Sequence, residues 1–243
     1  MPYHQLVQLS SVPIWAAIAN VLGDVLWIVA YILIIRRSFT DRTYGMPMLC
    51  VALNFTWEFI YAVQFPFRAS IVVELLRWAW LVTDVIIVYQ LFRYGRDNQM
   101  VPLIKQYFYP ICVAMFVSAY LGQLAVHYSF FNDGFKPDRL GYTNGYIINL
   151  VMSMLFISMY FSRPNLQGLS VGAAWAKMLG TGILSAASFI SMTDWQHNWQ
   201  VYCFRVYLYV TVFIFDIIYI RLLYRQRAVA ADHSEEPGML AAA

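Results

Sequence analysis

Charged residues are scarce in this chain. Only 12% of its 243 residues are charged, and 61% are hydrophobic, whereas about 25% of the residues in a typical soluble domain are charged. So few charges cannot cover a protein surface with water-facing side chains, which excludes a soluble globular enzyme. The net charge of +3 gives no reason to expect binding to nucleic acid.

Cysteine is scarce as well, and its placement excludes a cysteine-based site. Cys50, Cys112 and Cys203 all lie at or inside apolar segments. Their spacing fits neither a zinc site nor a disulfide framework. We interpret all three as small buried apolar residues and expect no metal site.

Long apolar segments are abundant instead. Seven of them have about 20 residues, enough for a helix to cross the hydrocarbon core of a bilayer. We predict an all-α fold, a bundle of seven transmembrane helices. The first segment is too long for a cleavable signal peptide, and we expect it to remain as an anchor. The predicted spans are 15–35, 46–65, 71–92, 108–131, 143–161, 171–190 and 202–224.

Basic residues in the connections predict the orientation of the bundle. Loops rich in lysine and arginine stay in the cytosol, so we predict a lumenal N-terminus and a cytosolic C-terminus. The basic residues assigned to the cytosolic side are Arg36, Arg37, Arg42, Arg93, Arg96, Lys105, Arg163, Arg221, Arg225 and Arg227. Those assigned to the lumenal side are Arg68, Lys136 and Arg139.

The chain shows no interdomain linker and no low-complexity segment. We therefore assign residues 1–227 to one seven-helix membrane domain. Residues 228–243 have no apolar period and are predicted to form a disordered cytosolic tail.

Apart from Arg221 near the cytosolic end of the last span, eight Asp, Glu, Lys and Arg side chains lie inside the predicted spans. Each costs about 2.5–3.5 kcal/mol at the centre of a bilayer, so such residues usually face the bundle interior and mark functional sites. They are Asp24, Glu58, Glu74, Arg77, Asp84, Lys177, Arg205 and Asp216.

Glu58 and Asp216 stand out among aromatic neighbours, and neither has a basic residue within one turn of its own helix. Asn54, Trp57 and Tyr61 surround Glu58 on its helix. A carboxyl group among apolar rings is hard to ionise and keeps its proton, which makes it a proton donor. An interhelical hydrogen bond that only stabilises the bundle is an equal alternative. The predicted depths of the two acids differ by about 8 Å, which suits opposite ends of one chamber.

The third span carries a row of charged residues. Glu74 and Arg77 share a helix face and are interpreted as an ion pair near the membrane surface. Asp84 lies deeper, on nearly the same stripe as Arg77 and Trp80, and either joins this charge network or lines a cavity. Rings such as Trp57 and Trp80 are usually packing, but beside a deep acid they would also stabilise a carbocation.

Two other spans carry polar stripes that predict inward-facing surfaces. The stripe of the sixth span consists of Lys177, Thr181, Ser185 and Ser188. The stripe of the first span consists of Asn20, Asp24, Trp27 and Tyr31.

Several motifs in chain order resemble those of one known family. They are DRTYGMP at 41–47, NFTWEF at 54–59, LGQLA at 121–125, QGLS at 167–170, KMLGT at 177–181 and the late acid Asp216. Together they resemble the fungal integral-membrane terpene cyclases of meroterpenoid and indole-diterpene biosynthesis, of the paxilline, pyripyropene, andrastin and austinol type. The resemblance covers essentially the whole chain.

The resemblance implies a redox-neutral cyclisation of the class II type, started by protonating an epoxide. It implies that Glu58 and Asp216 are the two essential acids. We favour Glu58 as the donor and expect Asp216 to assist or to stabilise charge. The sequence has neither a DDxxD nor a DxDD motif, so no magnesium or other cofactor is expected. Candidates for substrate binding or cation stabilisation are Asn54, Trp57, Tyr61, Asp24, Trp80, Asp84 and Lys177.

The resemblance also implies a lipophilic epoxyprenyl substrate, and we favour an epoxyfarnesyl polyketide ester over an indole diterpene precursor. An upstream prenyltransferase and an epoxidase would be pathway partners. The protein would be a multi-pass protein among membrane lipids, in the endoplasmic reticulum.

Three other classes compete with this interpretation. A proton-coupled transporter also keeps acids in the membrane, but the sequence shows no convincing repeat between its halves. A retinal protein needs a lysine in its last helix, whereas the only lysine in any predicted span is Lys177, in the sixth. A structural subunit would use the same acids only to hold its helices together.

Overall fold

The computed structural model describes residues 13–66, 70–132, 141–163, 165–191 and 199–235, and these contain helices and no β-strand. A π-helical turn, Ile60–Gln64, continues the second helix without a break. The all-α prediction is confirmed. The helices are α1 (Ile14–Asp41), α2 (Met48–Phe59), α3 (Ile71–Tyr94), α4 (Pro102–Gln106), α5 (Phe108–Asn132), α6 (Tyr142–Phe161), α7 (Val171–Ser191) and α8 (Trp199–Glu235).

We call the helices other than the five-residue α4 the seven long helices, and we count α2 together with its π-helical turn. They overlap the seven predicted spans. In the described part of the chain, α1, α5, α6, α7 and α8 are long and apolar enough to cross a membrane. The apolar helix Met48–Gln64 is shorter. Helix α3 has 24 residues, but charged side chains such as Arg77 and Asp84 lower its hydropathy.

Helix α8 extends to Glu235, past residue 228, where the disordered tail was predicted to begin. The segment after residue 227 is rich in alanine, the strongest helix former, which favours continuation of the helix beyond its apolar part. Residues 236–243 of the predicted tail lie outside the described residues.

Polar groups are buried in the bundle, and large apolar side chains cover its outside. Val25, Leu75 and Phe213 are among the many exposed apolar residues. A surface of this kind is adapted to lipid rather than to water. Cys50 and Cys112 are buried, as predicted, but Cys203 is exposed because it lies on the outer face of α8. The buried polar residues include Asn54, Glu58, Asp84, Gln90, Gln123, Asn149, Lys177 and Asp216.

Two glycines bring α1 and α7 into close contact. Helix α1 packs mainly against α7. A Cβ atom at Gly180 would lie 2.9 Å from the carbonyl oxygen of Gly23 and 3.1 Å from Cδ1 of Trp27. Small residues let helix backbones approach closely, and here they place the Trp27 ring directly against α7.

The motifs DRTYGMP and QGLS meet in space at one end of the bundle. One guanidinium nitrogen of Arg163 donates to the carbonyl oxygens of Tyr44 and Gln167, both at 2.7 Å. The backbone N–H of Gly168 donates to Asp41 Oδ2 at 2.7 Å. Gly168 has a φ of 75°, a left-handed conformation that glycine adopts without strain. One hydrogen-bond network therefore joins the two loops at this end of the bundle, and we call it the loop network.

Candidate active site

Three helices bring two acids together around one amide. Glu58 of α2 is 3% exposed and Asp84 of α3 is 0% exposed. Asn54 Nδ2 lies 3.2 Å from Glu58 Oε1 and 2.8 Å from Asp84 Oδ2, and it also contacts the hydroxyl of Tyr31. Tyr31 on α1 in turn donates to Glu58 Oε1 at 3.1 Å. We call Tyr31, Asn54, Glu58 and Asp84 the carboxyl centre.

Each acid of the carboxyl centre keeps one oxygen without a described partner. Glu58 Oε2 and Asp84 Oδ1 are buried and accept no hydrogen bond from the described residues. No described lysine or arginine forms an ion pair with either acid. In the same part of the chain, no group of three or more His, Cys, Asp or Glu side chains could hold a metal ion. The two oxygens are thus available to a proton or to a polar atom of a ligand.

The sequence left two interpretations of Asp84 open, a charge network on α3 or the lining of a cavity. Its carboxyl group binds Asn54 and so belongs with Glu58. Arg77 donates instead to the carbonyl oxygen of Tyr61, at 3.0 Å, and interacts electrostatically with Asp24. The deep acid of α3 is therefore part of the carboxyl centre.

Aromatic rings adjoin the carboxyl centre on the side of the π-helical turn. The Trp57 ring lies 5.2 Å from the Tyr61 ring and 6.0 Å from the Trp80 ring. Trp57 Nε1 donates to the carbonyl oxygen of Gly141, and Trp80 Nε1 donates to that of Asp24, at 3.0 Å and 3.2 Å. These bonds satisfy the only polar atom of each indole and fix both ring planes.

The π-helical turn gives Tyr61 its position. Phe65 N–H bonds the carbonyl oxygen of Ile60, five residues earlier, at 2.7 Å. Such turns are frequent at functional sites. The hydroxyl of Tyr61 lies 3.2 Å from Nδ1 of His127 on α5. The aromatic rings beside the carboxyl centre therefore also contact a fourth helix.

Lys177 and Asp216 form a second buried centre. Lys177 of α7 is 5% exposed and Asp216 of α8 is 3% exposed. The ammonium group donates to both carboxylate oxygens, at 2.7 Å and 2.9 Å, and to Ser153 Oγ at 2.7 Å. We call these three residues the ion-pair centre. The predicted inward polar face of α7 is confirmed at Lys177 and at the buried Thr181.

Trp27 lies between the two centres. Its ring centroid is 5.7 Å from Lys177 Nζ, and it packs edge-on against the Tyr31 ring at 5.8 Å. A small cavity of about 20 Å³ is lined by Trp27, Lys177, Phe156 and Tyr219, among others. That volume holds about one water molecule, so a larger ligand requires side chains to move.

A wider groove lies between α7 and α8. Its volume is about 230 Å³, and its wall includes Thr181, Ser185, Phe213 and Asp216. Phe213 is exposed on the outer surface of the bundle. The groove therefore joins the ion-pair centre to the apolar surroundings of the helices.

Comparison with known proteins gives the family. A sequence profile of the Pyr4-like transmembrane terpene cyclases matches residues 7–228. The chain belongs to this family. The resemblance noted in the sequence is confirmed, and the chain is a membrane protein of the transmembrane terpene cyclase class.

Individual relatives are fungal terpene cyclases. The Pyr4-family terpene cyclase mfmH of Annulohypoxylon moriforme is 29% identical over 156 residues, which is 64% of this chain and 62% of mfmH. Terpene cyclase pyr4 of Aspergillus fumigatus is 24% identical over 229 residues, 92% of this chain and 90% of pyr4. Terpene cyclase andB of Emericella variicolor is 32% identical over 109 residues, 43% of this chain and 45% of andB. The match thus spans less than two thirds of mfmH but nearly all of pyr4.

Sequence reasoning did not select three residues that complete or connect the two centres. Trp27 and Tyr31 lie on the polar stripe recognised in α1, but only their contacts with Lys177 and Glu58 give them a place in the site. Ser153 lies on α6 among apolar residues and showed no signal in the sequence. Helical periodicity identifies a shared face but not the partner helix.

Proposed function

We propose that this member of the family is a terpene cyclase of the class II type, acting on a lipophilic epoxyprenylated precursor. Glu58 gives its proton to the oxygen of the terminal epoxide. The C–O bond breaks, its electron pair stays on oxygen as a hydroxyl group, and the resulting cation is attacked by the next alkene. Loss of a proton from the last cation ends the cascade, so substrate and product have the same mass.

One observation carries this proposal, namely the surroundings of Glu58. The side chain is 3% exposed, and its Oε2 accepts no hydrogen bond from the described residues. The nearby rings of Trp57 and Trp80 can stabilise positive charge where water is excluded. A donor, a place for an oxygen atom and a dry aromatic wall are what epoxide-initiated cyclisation needs.

We assign a different role to Asp216. Both oxygens of its carboxyl group accept hydrogen bonds from the Lys177 ammonium group, an arrangement that suits an ion pair better than a proton donor. Asp216 then supplies negative charge near the cationic intermediates and does not give up a proton. The Lys177 ammonium balances this charge in the resting protein, which lowers the free-energy cost of burying the carboxylate inside a membrane.

Two observations support the proposed substrate class, namely the names of the relatives and the position of the groove. The relatives are named terpene cyclases, and an apolar prenyl chain can enter the α7–α8 groove directly from the bilayer. The substrate that we favour is an epoxyfarnesyl polyketide ester, with a polyketide head group and a farnesyl chain. A precursor of the indole diterpene class is the alternative, and a prenyltransferase and an epoxidase would act before this protein.

We also propose that all seven long helices span the membrane of the endoplasmic reticulum. Helix α3, at 24 residues, is about 36 Å long, enough to cross the hydrocarbon core. Its charged residues Arg77 and Asp84 face other helices and so do not oppose insertion. The basic connections support a lumenal N-terminus and a cytosolic C-terminus.

The proposal is tested by feeding a substrate to membranes that contain the protein. The chain would be expressed in a fungal host without its own terpenoid pathway, and microsomes would receive an epoxyfarnesyl aromatic ester. We expect a product of unchanged mass and new retention time. Glu58→Gln should lower the rate by at least about 100-fold, the scale of general acid catalysis, while Glu58→Asp should retain part of it. Asp216→Asn should also lose product.

A matched control is Glu74→Gln, an acid-to-amide change on α3 away from the carboxyl centre, which should cyclise at the wild-type rate. Normal product formation in both Glu58→Gln and Asp216→Asn would show that these acids only stabilise the bundle. A wild-type protein that converts no ester, pyrone or indole diterpene precursor would exclude the proposed function. The transporter interpretation would then come first.

A further inference from the structure

The two acids of the carboxyl centre share a single amide group. Asn54 Nδ2 donates hydrogen bonds to both Glu58 Oε1 and Asp84 Oδ2, at 3.2 Å and 2.8 Å. The two oxygens can therefore be no farther apart than the sum of these distances. Both side chains are almost fully removed from solvent, so their charges would repel each other strongly.

The donors around the two acids are too few for two negative charges. Tyr31 supplies one hydroxyl hydrogen and Asn54 supplies two amide hydrogens. Glu58 Oε2 and Asp84 Oδ1 accept nothing from the described residues. Buried charged oxygens normally have a cation or several donors, so full ionisation of both acids is strongly disfavoured.

We infer that Glu58 and Asp84 hold one proton between them and that Asp84 is a positioning residue for the acid that starts cyclisation. The negative charge of Asp84 keeps the proton on Glu58 Oε2, the oxygen that faces no described donor. Tyr31 acts in the opposite sense, because its hydroxyl group donates to Glu58 Oε1 and favours the charged form. This inference rests on the proposed function for its catalytic meaning, but not for the shared proton.

Other charged or titratable groups on the helices around Glu58 have hydrogen bonds to atoms other than its carboxyl group. From α3, Arg77 donates to the carbonyl oxygen of Tyr61. From α5, His127 meets the hydroxyl of the same tyrosine. From α6, the uncharged Gly145 faces the Trp57 ring. Among the described residues, Tyr31 from α1 and Asp84 from α3 are the titratable groups with hydrogen bonds to Glu58 or to its bridging amide.

The test measures how Glu58 loses its proton in three proteins. Cyclisation rate would be followed against pH in detergent-solubilised wild type, Asp84→Asn and Tyr31→Phe. In parallel, infrared spectroscopy would follow the C=O band of protonated carboxyl groups, identified as that of Glu58 by its loss in Glu58→Gln. In the wild type, both signals should decline together as the pH rises.

The two variants should shift this decline in opposite directions. Removing the charge of Asp84 makes Glu58 easier to ionise, so the decline should move to lower pH by about one unit or more. Removing the Tyr31 hydroxyl makes Glu58 harder to ionise, so the decline should move to higher pH. Glu74→Gln should match the wild type.

Opposite shifts distinguish a shared proton from damaged packing, because a loss of structure lowers the rate at every pH. Unchanged midpoints in Asp84→Asn would overturn the inference. If Asp84→Asn does not fold, an unchanged midpoint in Tyr31→Phe overturns it equally. If no substrate is converted, the infrared titration still decides whether the proton is shared, and only the proposed function fails.

Discussion

Lys177 on α7 donates to both carboxylate oxygens of Asp216 on α8, at 2.7 Å and 2.9 Å. The two residues are 39 positions apart in the chain, and neither has an opposite charge within a turn of its own helix. The pair therefore links two helices in the apolar interior and satisfies two charges that would each be costly alone.

Breaking this ion pair on one side should destabilise the protein strongly. Lys177→Met leaves a buried carboxylate and Asp216→Asn leaves a buried ammonium, each at a cost of about 3–5 kcal/mol. The double variant should lose less than the sum of the two, because no charge stays unpaired. Thermal unfolding in detergent micelles measures all three.

The exposed pair Lys105–Asp97, with 3.9 Å between its charged atoms, provides the control. Lys105→Met should cost less than about 1 kcal/mol, since surface ion pairs contribute little. Additive losses in the double variant of Lys177 and Asp216 would argue against a coupled pair.

The close contact of α1 and α7 should be sensitive to a single methyl group. Gly180→Ala would push a Cβ atom to 2.9 Å from the carbonyl oxygen of Gly23 and should destabilise by about 1–3 kcal/mol, as overpacking does. A Cβ atom added at Gly182, on the same helix, would have no neighbouring atom within 4 Å, so Gly182→Ala should be neutral or stabilising. Equal melting temperatures for the two variants would contradict the predicted role of Gly180.

The loop network should require an arginine at position 163. The guanidinium group donates to two carbonyl oxygens and its Cζ atom lies 4.3 Å from the centre of the Tyr44 ring. A lysine cannot reproduce both the planar stacking and these bonds, so Arg163→Lys should destabilise by about 1–3 kcal/mol.

Arg96 is exposed and lies 6.0 Å from the Tyr109 ring. Arg96→Lys is the matched control and should leave the melting temperature unchanged. A stable Arg163→Lys variant would mean that Gly168 and Asp41 hold the loops together without the arginine.

An odd number of spans should place the two ends of the chain on opposite sides of the membrane. A glycosylation acceptor appended before residue 1 should be modified in microsomes, because the N-terminus is proposed to be lumenal. The same acceptor after residue 243 should stay unmodified. Modification at both ends, or at neither, would show that one of the seven long helices does not cross.

Much of the architecture was determined by the sequence alone. Apolar runs of about 20 residues predicted the seven long helices, because a helix in lipid must present an apolar surface along its whole length. The cost of charge in lipid marked eight residues as candidates for the interior. Four of them are buried, namely Glu58, Asp84, Lys177 and Asp216. The ordered motifs also identified the family correctly.

Only the tertiary structure decided which of these residues are partners. Asp84 joins Glu58 through Asn54, and Lys177 joins Asp216 through contacts between helices. A helical period fixes the face on which a residue lies, but it carries no information on the rotation and depth of one helix against another. Those quantities depend on the fit of all side chains at once, such as the Gly23–Gly180 contact that places Trp27 between the two centres.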